Sequence, residues 1–228
     1  YLEQSYNSDL DFGVGDFYVM GWIKPDSLTL QRILDRRALN GSTHWMTLSL
    51  YADGTPYLYT KDPTAVTSTQ LSGKPLSIGV WSFICAFRSG SNLYIYKDGV
   101  LYTTGAGVAR DVSNASAVTR LGVSTDSSKT NPLVATLALW RIGAGAPTAD
   151  QIRKIYEDER RLFEPGAACT LYGSSDAVTA LAVDPVTKLK HVGTTQGRNV
   201  LDGLLRVEHT TDPVTAAISA VDSFVVEG

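Results

Sequence analysis

Glutamate is missing from most of this chain. Of its 228 residues, none between Glu3 and Glu157 is a glutamate. That excludes the paired-glutamate chemistry of glycoside hydrolysis, where acid and nucleophile stand about 5 Å apart. Aspartate offers no ready substitute, because Asp53 and Asp98 each precede a glycine as turn residues and Asp26 follows a proline. Cysteine is nearly absent too. Cys85 and Cys169 make no disulfide framework; both are expected as free thiols, with Cys85 buried in an apolar strand and Cys169 at a loop-like junction. The three histidines, His44, His191 and His209, lack metal-ligand spacing. No Gly-x-Ser-x-Gly elbow occurs, so nucleophilic serine chemistry has no motif either. The sequence is read as non-enzymatic.

Long apolar runs and a basic block are also lacking. No stretch approaches the ~18 apolar residues of a membrane helix, and no signal peptide is recognisable. The chain opens strand-like on Tyr1 and reads as a piece of something longer. A net charge of −3, with basic residues scattered apart from Arg36-Arg37 and Arg160-Arg161, argues against nucleic acid as a partner.

What is present is a succession of short strands. Phe17–Ile23, Thr47–Tyr51, Pro56–Tyr59, Trp81–Phe87, Leu93–Tyr96 and Leu133–Trp140 alternate or run apolar over strand lengths. Asp98-Gly99 predicts a hairpin turn, since a two-residue turn needs φ > 0 at its centre. Asp53-Gly54 predicts a second one. Strands at regular spacing without intervening helices predict an all-β antiparallel sandwich. One helix is legible. Thr148 and Gln151 form a capping box, and an apolar stripe from Ile152 to Leu162 is expected to pack on the sandwich before Pro165-Gly166 ends it.

Beyond Gly166 the composition changes. The only aromatics there are Tyr172 and Phe224, and a unit of about 60 residues buries only about 60% of its unfolded surface. Such a segment is expected to complete its core against another chain or against the sandwich, with oligomerisation the favoured reading. Ala180–Thr194 predicts a hairpin turning at Asp184–Thr187, similar in form to one propeller blade. No second copy occurs at any period, which excludes a monomeric propeller.

In order along the chain, Leu10-Asp-Phe, Phe17–Asp26, Ile33–Arg36, Trp45–Leu50, Gly79–Phe83, Leu93–Gly99, Leu121–Val123, Leu137–Ile142 and the capped helix from Pro147 resemble a laminin-G-like, concanavalin-A-like jelly roll. The resemblance implies a jelly-roll β-sandwich with one capping helix over residues 1–165. A β-rich oligomerisation segment over 166–228 then resembles the C-terminal part of bacteriophage tail and receptor-binding proteins. It further implies binding to glycans or protein surfaces, in some relatives with calcium at one rim. Ala135-Thr-Leu-Ala stands where many relatives carry an acidic pair, so no calcium motif carries over and no cofactor is expected.

For binding, the alternation of β-strands picks out candidates. Trp45, Thr47, Ser49 and Tyr51 share one strand face and Met46, Leu48 and Leu50 the other. The aliphatic face must point into the core, which turns Trp45 and Tyr51 outward. Tyr57 and Tyr59 share a face on the partner strand. His44, Trp45, Tyr57, Tyr59 and Arg36 are the candidate ligand-binding residues; packing or subunit contact is the alternative role for the rings, and a solvated loop for Arg36-Arg37. Trp22, Trp81 and Trp140 are expected in the core. The functional expectation is a virion tail component that recognises a bacterial surface, most plausibly its glycan, through multivalent non-catalytic binding. Its partners would be that receptor, copies of itself (a trimer) and other tail proteins, without nucleic acid or membrane insertion. A structural or decorating tail protein, and less so a glycan-hydrolase fragment, are the alternatives.

Overall fold

The computed structural model describes residues 1–39, 43–70, 75–164, 171, 177–203, 205–214, 219–221 and 224–226. The chain divides into two compact units, Tyr1–Glu157 and Asp158–Gly228. In the first, eleven strands precede a helix: β1 (Leu2–Gln4), β2 (Phe17–Pro25), β3 (Gln31–Ala38), β4 (Trp45–Leu50), β5 (Pro56–Lys61), β6 (Val66–Gln70), β7 (Ser82–Ser89), β8 (Asn92–Lys97), β9 (Val100–Gly105), β10 (Ala117–Leu121), β11 (Ala135–Ala144) and α1 (Ala149–Glu159). They build a six-stranded sheet, β1-β10-β3-β4-β5-β6, and a five-stranded one, β11-β2-β7-β8-β9, every pairing antiparallel. The antiparallel sandwich expected from the strand pattern, and the jelly roll that the resemblance implied, is the fold observed.

Its core is the set of residues the period-2 pattern points inward. Met46, Leu48, Leu50 and Leu58 from one sheet meet Phe17, Val19, Ile84, Ala86, Leu93 and Ile95 from the other, all essentially without solvent contact. Both hairpin turns form as required. Asp98 (φ 51°) and Gly99 (φ 79°) are both left-handed, and the Asp98 carboxylate accepts the Phe83 N–H at 2.9 Å. Burial raises the Asp98 pKa above the usual carboxylate range. At the other turn Gly54 (φ 83°) follows a Gly54 N–H to Tyr51 carbonyl bond of 2.9 Å.

Two departures from simple alternation shape the sandwich. In β11 a bulge around Leu139 (φ 53°) swings Trp140 over Gly21, where a Cβ would lie 2.6 Å from the indole. The Trp140 Nε1–H donates to the Trp22 carbonyl at 2.8 Å. In β3 a register shift between Arg32 and Leu34 buries both Ile33 and Leu34, inverting the strand's later parity.

Arg88 is buried by packing rather than displayed. It donates to the carbonyls of Gly13, Gly15 and Arg110, pinning the loop before β2; burial lowers its pKa. Cys85 is a free buried thiol, pushed up to about 12 by desolvation. Cys169 lies outside the described residues.

The capping box on α1 is as expected: Gln151 N–H donates to Thr148 Oγ1 at 3.2 Å and Thr148 N–H to Gln151 Oε1 at 2.9 Å. The helix packs through Ile152 and through Tyr156, stacked on Trp22 with centroids 5.7 Å apart. The expected stripe stops there. Leu162 is exposed because the chain tightens to a 3₁₀ turn at Arg160–Leu162, which rotates it off the apolar side. Trp22 is buried as expected, whereas Trp81 precedes β7 and is half-buried beneath Lys24.

The second unit contains β12 (Val178–Val183), β13 (Lys190–Thr194), β14 (Gly197–Asp202) and β15 (Leu205–Thr210) in a four-stranded antiparallel meander, the strand count and order of one propeller blade. A short pair, β16 (Ser219–Val221) and β17 (Phe224–Val226), follows. The β12–β13 turn is braced by the Asp184 carboxylate, which accepts the N–H groups of Val186 and Thr187. Leu181, Val183, Val186 and Val207 are exposed.

Candidate ligand-binding face

The residues that alternation turns away from the core converge on the outer face of the six-stranded sheet, across β3, β4 and β5. Antiparallel register sets Arg32 opposite Ser49 and Ser49 opposite Tyr57; it sets Asp35 opposite Thr47, Thr47 opposite Tyr59, and Trp45 opposite Lys61. Diagonal neighbours then stack. Trp45 and Tyr59 lie with centroids 5.4 Å apart, and Tyr51 and Tyr57 with centroids 4.1 Å apart, each pair near-parallel. From Trp45 to Tyr51 this row extends roughly 20 Å along the strand.

Beneath the rings, Thr47 and Ser49 are buried, with their hydroxyl oxygens 3.3 Å apart and Thr47 Oγ1–H donating to the Leu34 carbonyl. Arg32 lies over them. Its Nη1 donates to Ser49 Oγ at 2.8 Å and to Tyr57 Oη at 2.5 Å. Tyr57 is therefore a buried, hydrogen-bonded support, 7% exposed, and Tyr51, stacked on it, is the presented ring at 39%. Burial, then the neighbouring Tyr57, raises the phenol pKa values of Tyr51 and Tyr59.

Cations surround the Trp45 ring. Arg37 stands 5.2 Å from its centroid and Lys61 4.6 Å. Arg37 is already spoken for: it pairs with Asp35 at 3.2 Å and Asp126 at 3.4 Å and bonds the Ser124 and Thr125 hydroxyls. Arg120 is paired with Glu3 at 2.7 Å. Arg32 and Lys61 have no carboxylate within salt-bridge distance among the described residues.

The five candidate residues do not fare alike. Trp45, Tyr57 and Tyr59 come together on this face; His44 precedes Trp45, half-buried, its carbonyl accepting from Asn114 Nδ2 at 3.2 Å. Arg36 does not join them, and the expectation of a loop cation is corrected. It lies in β3, not in a loop, and the inverted parity puts it on the core side at 1% exposure. Its guanidinium is consumed by the Val112 carbonyl at 2.8 Å and the Asp11 carboxylate at 2.7 Å. Sequence reasoning missed Arg32 and Lys61; it turned Tyr51 outward, as observed, but did not count it among the candidate residues. Lys61 had a signal, since a turn at Asp53-Gly54 sets it opposite Trp45.

The residues here do not fit a rim calcium. Asp62 and Asp126 are held below the usual carboxylate range by their own loops. The Thr64 hydroxyl acts most strongly on Asp62; at Asp126, burial is outweighed by the Ser124 and Thr130 hydroxyls and the Arg37 charge. Among the described residues no three histidine, cysteine or acidic side chains cluster, and no helix is long and apolar enough to cross a membrane. An apolar cleft of about 340 Å³, lined by Leu2, Val19, Leu34 and Trp140 among others, carries few polar groups to orient a ligand.

The fold is widely shared. Domain 4 of an extracellular arabinanase from Geobacillus stearothermophilus, solved with arabinotriose, is 22% identical, with a TM-score of 0.52 over 63% of this chain and 67% of that one. The binding domain of Paraclostridial Mosquitocidal Protein 1 is 15% identical, with a TM-score of 0.56 over 88% of this chain; only 55% of that domain's length is spanned. The Ruminococcus gnavus IT-sialidase CBM40 bound to α2,3-sialyllactose is 11% identical, with a TM-score of 0.51 over 63% and 84%. Among curated proteins none matches the sequence. A laminin-G family model described as the concanavalin A-like lectin/glucanases superfamily matches residues 4–153, two thirds of the chain including β2 to β11, and the chain belongs to that family.

Proposed function

We propose that this protein is a non-catalytic binding domain that engages a glycan on the outer face of β3–β5, within a virion tail component that recognises a bacterial surface. The observation that carries the reading is the double ring stack itself. Two aromatic pairs, flanked by cations and floored by hydroxyls, stand on a rigid sheet where the fold has no need of them. Sugars bind such surfaces by laying an apolar ring face on an aromatic side chain while neighbouring donors take the hydroxyls. The arabinanase domain in complex with arabinotriose and the sialidase CBM40 bound to sialyllactose are in line with this use of the fold. The tail setting rests on the resemblance of the C-terminal segment. The apolar residues exposed on the second unit, Leu181, Val183 and Val207, support self-association, which would multiply weak sites into avidity.

A glycan array probed with the protein, alongside Trp45→Ala and Tyr51→Ala, tests the site. Binding that falls about tenfold in either variant, with the melting curve retained, is expected from loss of a contact ring. A protein that binds no glycan and no host surface would favour the decorating role. Light scattering tests the assembly: three chain masses are expected, and a lone 24.6 kDa species contradicts it.

A further inference from the structure

On this face Arg32 is a cation held ready. Its Nη1 is fixed by Ser49 and Tyr57, and among the described residues its buried Nε and its Nη2 have no hydrogen-bond partner. No carboxylate of the described residues neutralises it. An arginine in water ordinarily keeps its conformational freedom; here two hydrogen bonds and the ring of Tyr57 have already removed it. The cost of ordering a long side chain is thus met before any ligand arrives, which favours a fixed, directional contact. Lys61 is a second cation without a carboxylate partner, two strands away at the Trp45 end. The other basic residues nearby, Arg37 and Arg120, are ion-paired. The whole chain carries a net charge of −3, so two cations outside any ion pair of the described residues on one face are a local arrangement rather than a consequence of composition.

Resting on the glycan reading above, we infer that the face selects an acidic saccharide, seating an oxyanion (carboxylate or sulfate) on the guanidinium of Arg32, with the adjoining sugar ring against Tyr51. Lys61 attracts a second acidic group further along the same oligosaccharide. The separation of the two cations, four residues along the strands and two strands across, suits charges borne by different sugar units. A neutral glycan meets the same rings and hydroxyls but leaves Arg32 unpaired. A charge-assisted hydrogen bond then makes the difference between the two ligands.

The test is a panel of uronate- and sialate-bearing oligosaccharides, each with its methyl ester, and sulfated oligosaccharides, each with its desulfated parent. Binding is measured by calorimetry at two salt concentrations. The acidic member of at least one pair should bind about tenfold tighter, the value of one charge-assisted bond, with the advantage shrinking at high salt. Which pair responds separates carboxylate from sulfate. Arg32→Gln should erase the advantage, so that the acidic and neutral members of a pair bind alike, and Lys61→Gln should reduce it. Tyr51→Ala should weaken acidic and neutral members alike. Equal affinity within every pair, or an acidic advantage that survives in both Arg32→Gln and Lys61→Gln, overturns the inference and leaves the glycan site standing. Binding to no saccharide of either kind overturns both.

Discussion

Along β4 the inward residues Met46, Leu48 and Leu50 and the outward residues Thr47 and Ser49 are equally shielded from water, but by different means. Inside, aliphatic side chains from two sheets exclude solvent and leave nothing polar to satisfy. Outside, rings and a guanidinium lie over hydroxyls that bond one another, the Leu34 carbonyl and Arg32. The inner face is replaceable by any well-packed hydrocarbon of similar volume. The outer face is not, because its geometry depends on particular pairs: Arg32 with Tyr57, Trp45 with Tyr59, Tyr51 with Tyr57. A sheet that has one core already has no folding reason to build a second, polar layer, and that difference locates the functional surface.

The comparison can be broken at several points. Leu48→Ala should cost about 2–5 kcal/mol in chemical denaturation, the range for a large-to-small core change. Gly21→Ala should cost about 1–3 kcal/mol, because the new methyl meets the Trp140 indole and neither strand can yield. Tyr51→Ala should cost only about 1 kcal/mol, the value of one aromatic stack, while its effect on binding is far larger. A Tyr51→Ala loss as great as that of Leu48→Ala would mean the outer layer is a second core. The mildest effect is on acid stability. Asp126 has its pKa held low in the folded protein, so its contribution is present above the unfolded value near pH 4 and is lost as pH falls below about 4. Melting temperatures between neutral and acid pH should therefore fall less steeply in Asp126→Asn than in the parent. Cys85 sharpens the inner side of the comparison: in a Cys169→Ser background, a thiol reagent should label it only when denaturant opens the sandwich.

Local rules made much of the fold readable. Asp98-Gly99 specifies its turn through the φ it demands, Thr148 and Gln151 specify a helix start, and the alternation of β4 assigns both its faces at once. The capped helix illustrates the limit, since Leu162 has the right spacing but the backbone tightens before reaching it. Arg36 shows a deeper one. A bulge between Arg32 and Leu34 leaves no mark in composition, yet it moves every later residue of β3 to the opposite face and exchanges an expected surface cation for a buried one. The same bulge leaves Arg32 outside. Its partnership with Tyr57 crosses 25 residues and depends on the register of β3 on β4 and of β4 on β5, and the bulge changes the first of these without a trace in the local pattern. Half of the candidate face, the rings, followed from periodicity; the cations depended on register.

The most direct test of the account follows the four tryptophan indole N–H signals by NMR as an acidic oligosaccharide is titrated into the protein. The Trp45 signal should shift progressively with ligand while those of Trp22, stacked on Tyr156 of α1, and Trp140, packed against the core, stay in place. Shifts confined to Trp22, Trp81 or Trp140, with Trp45 unmoved at saturation, would contradict the account.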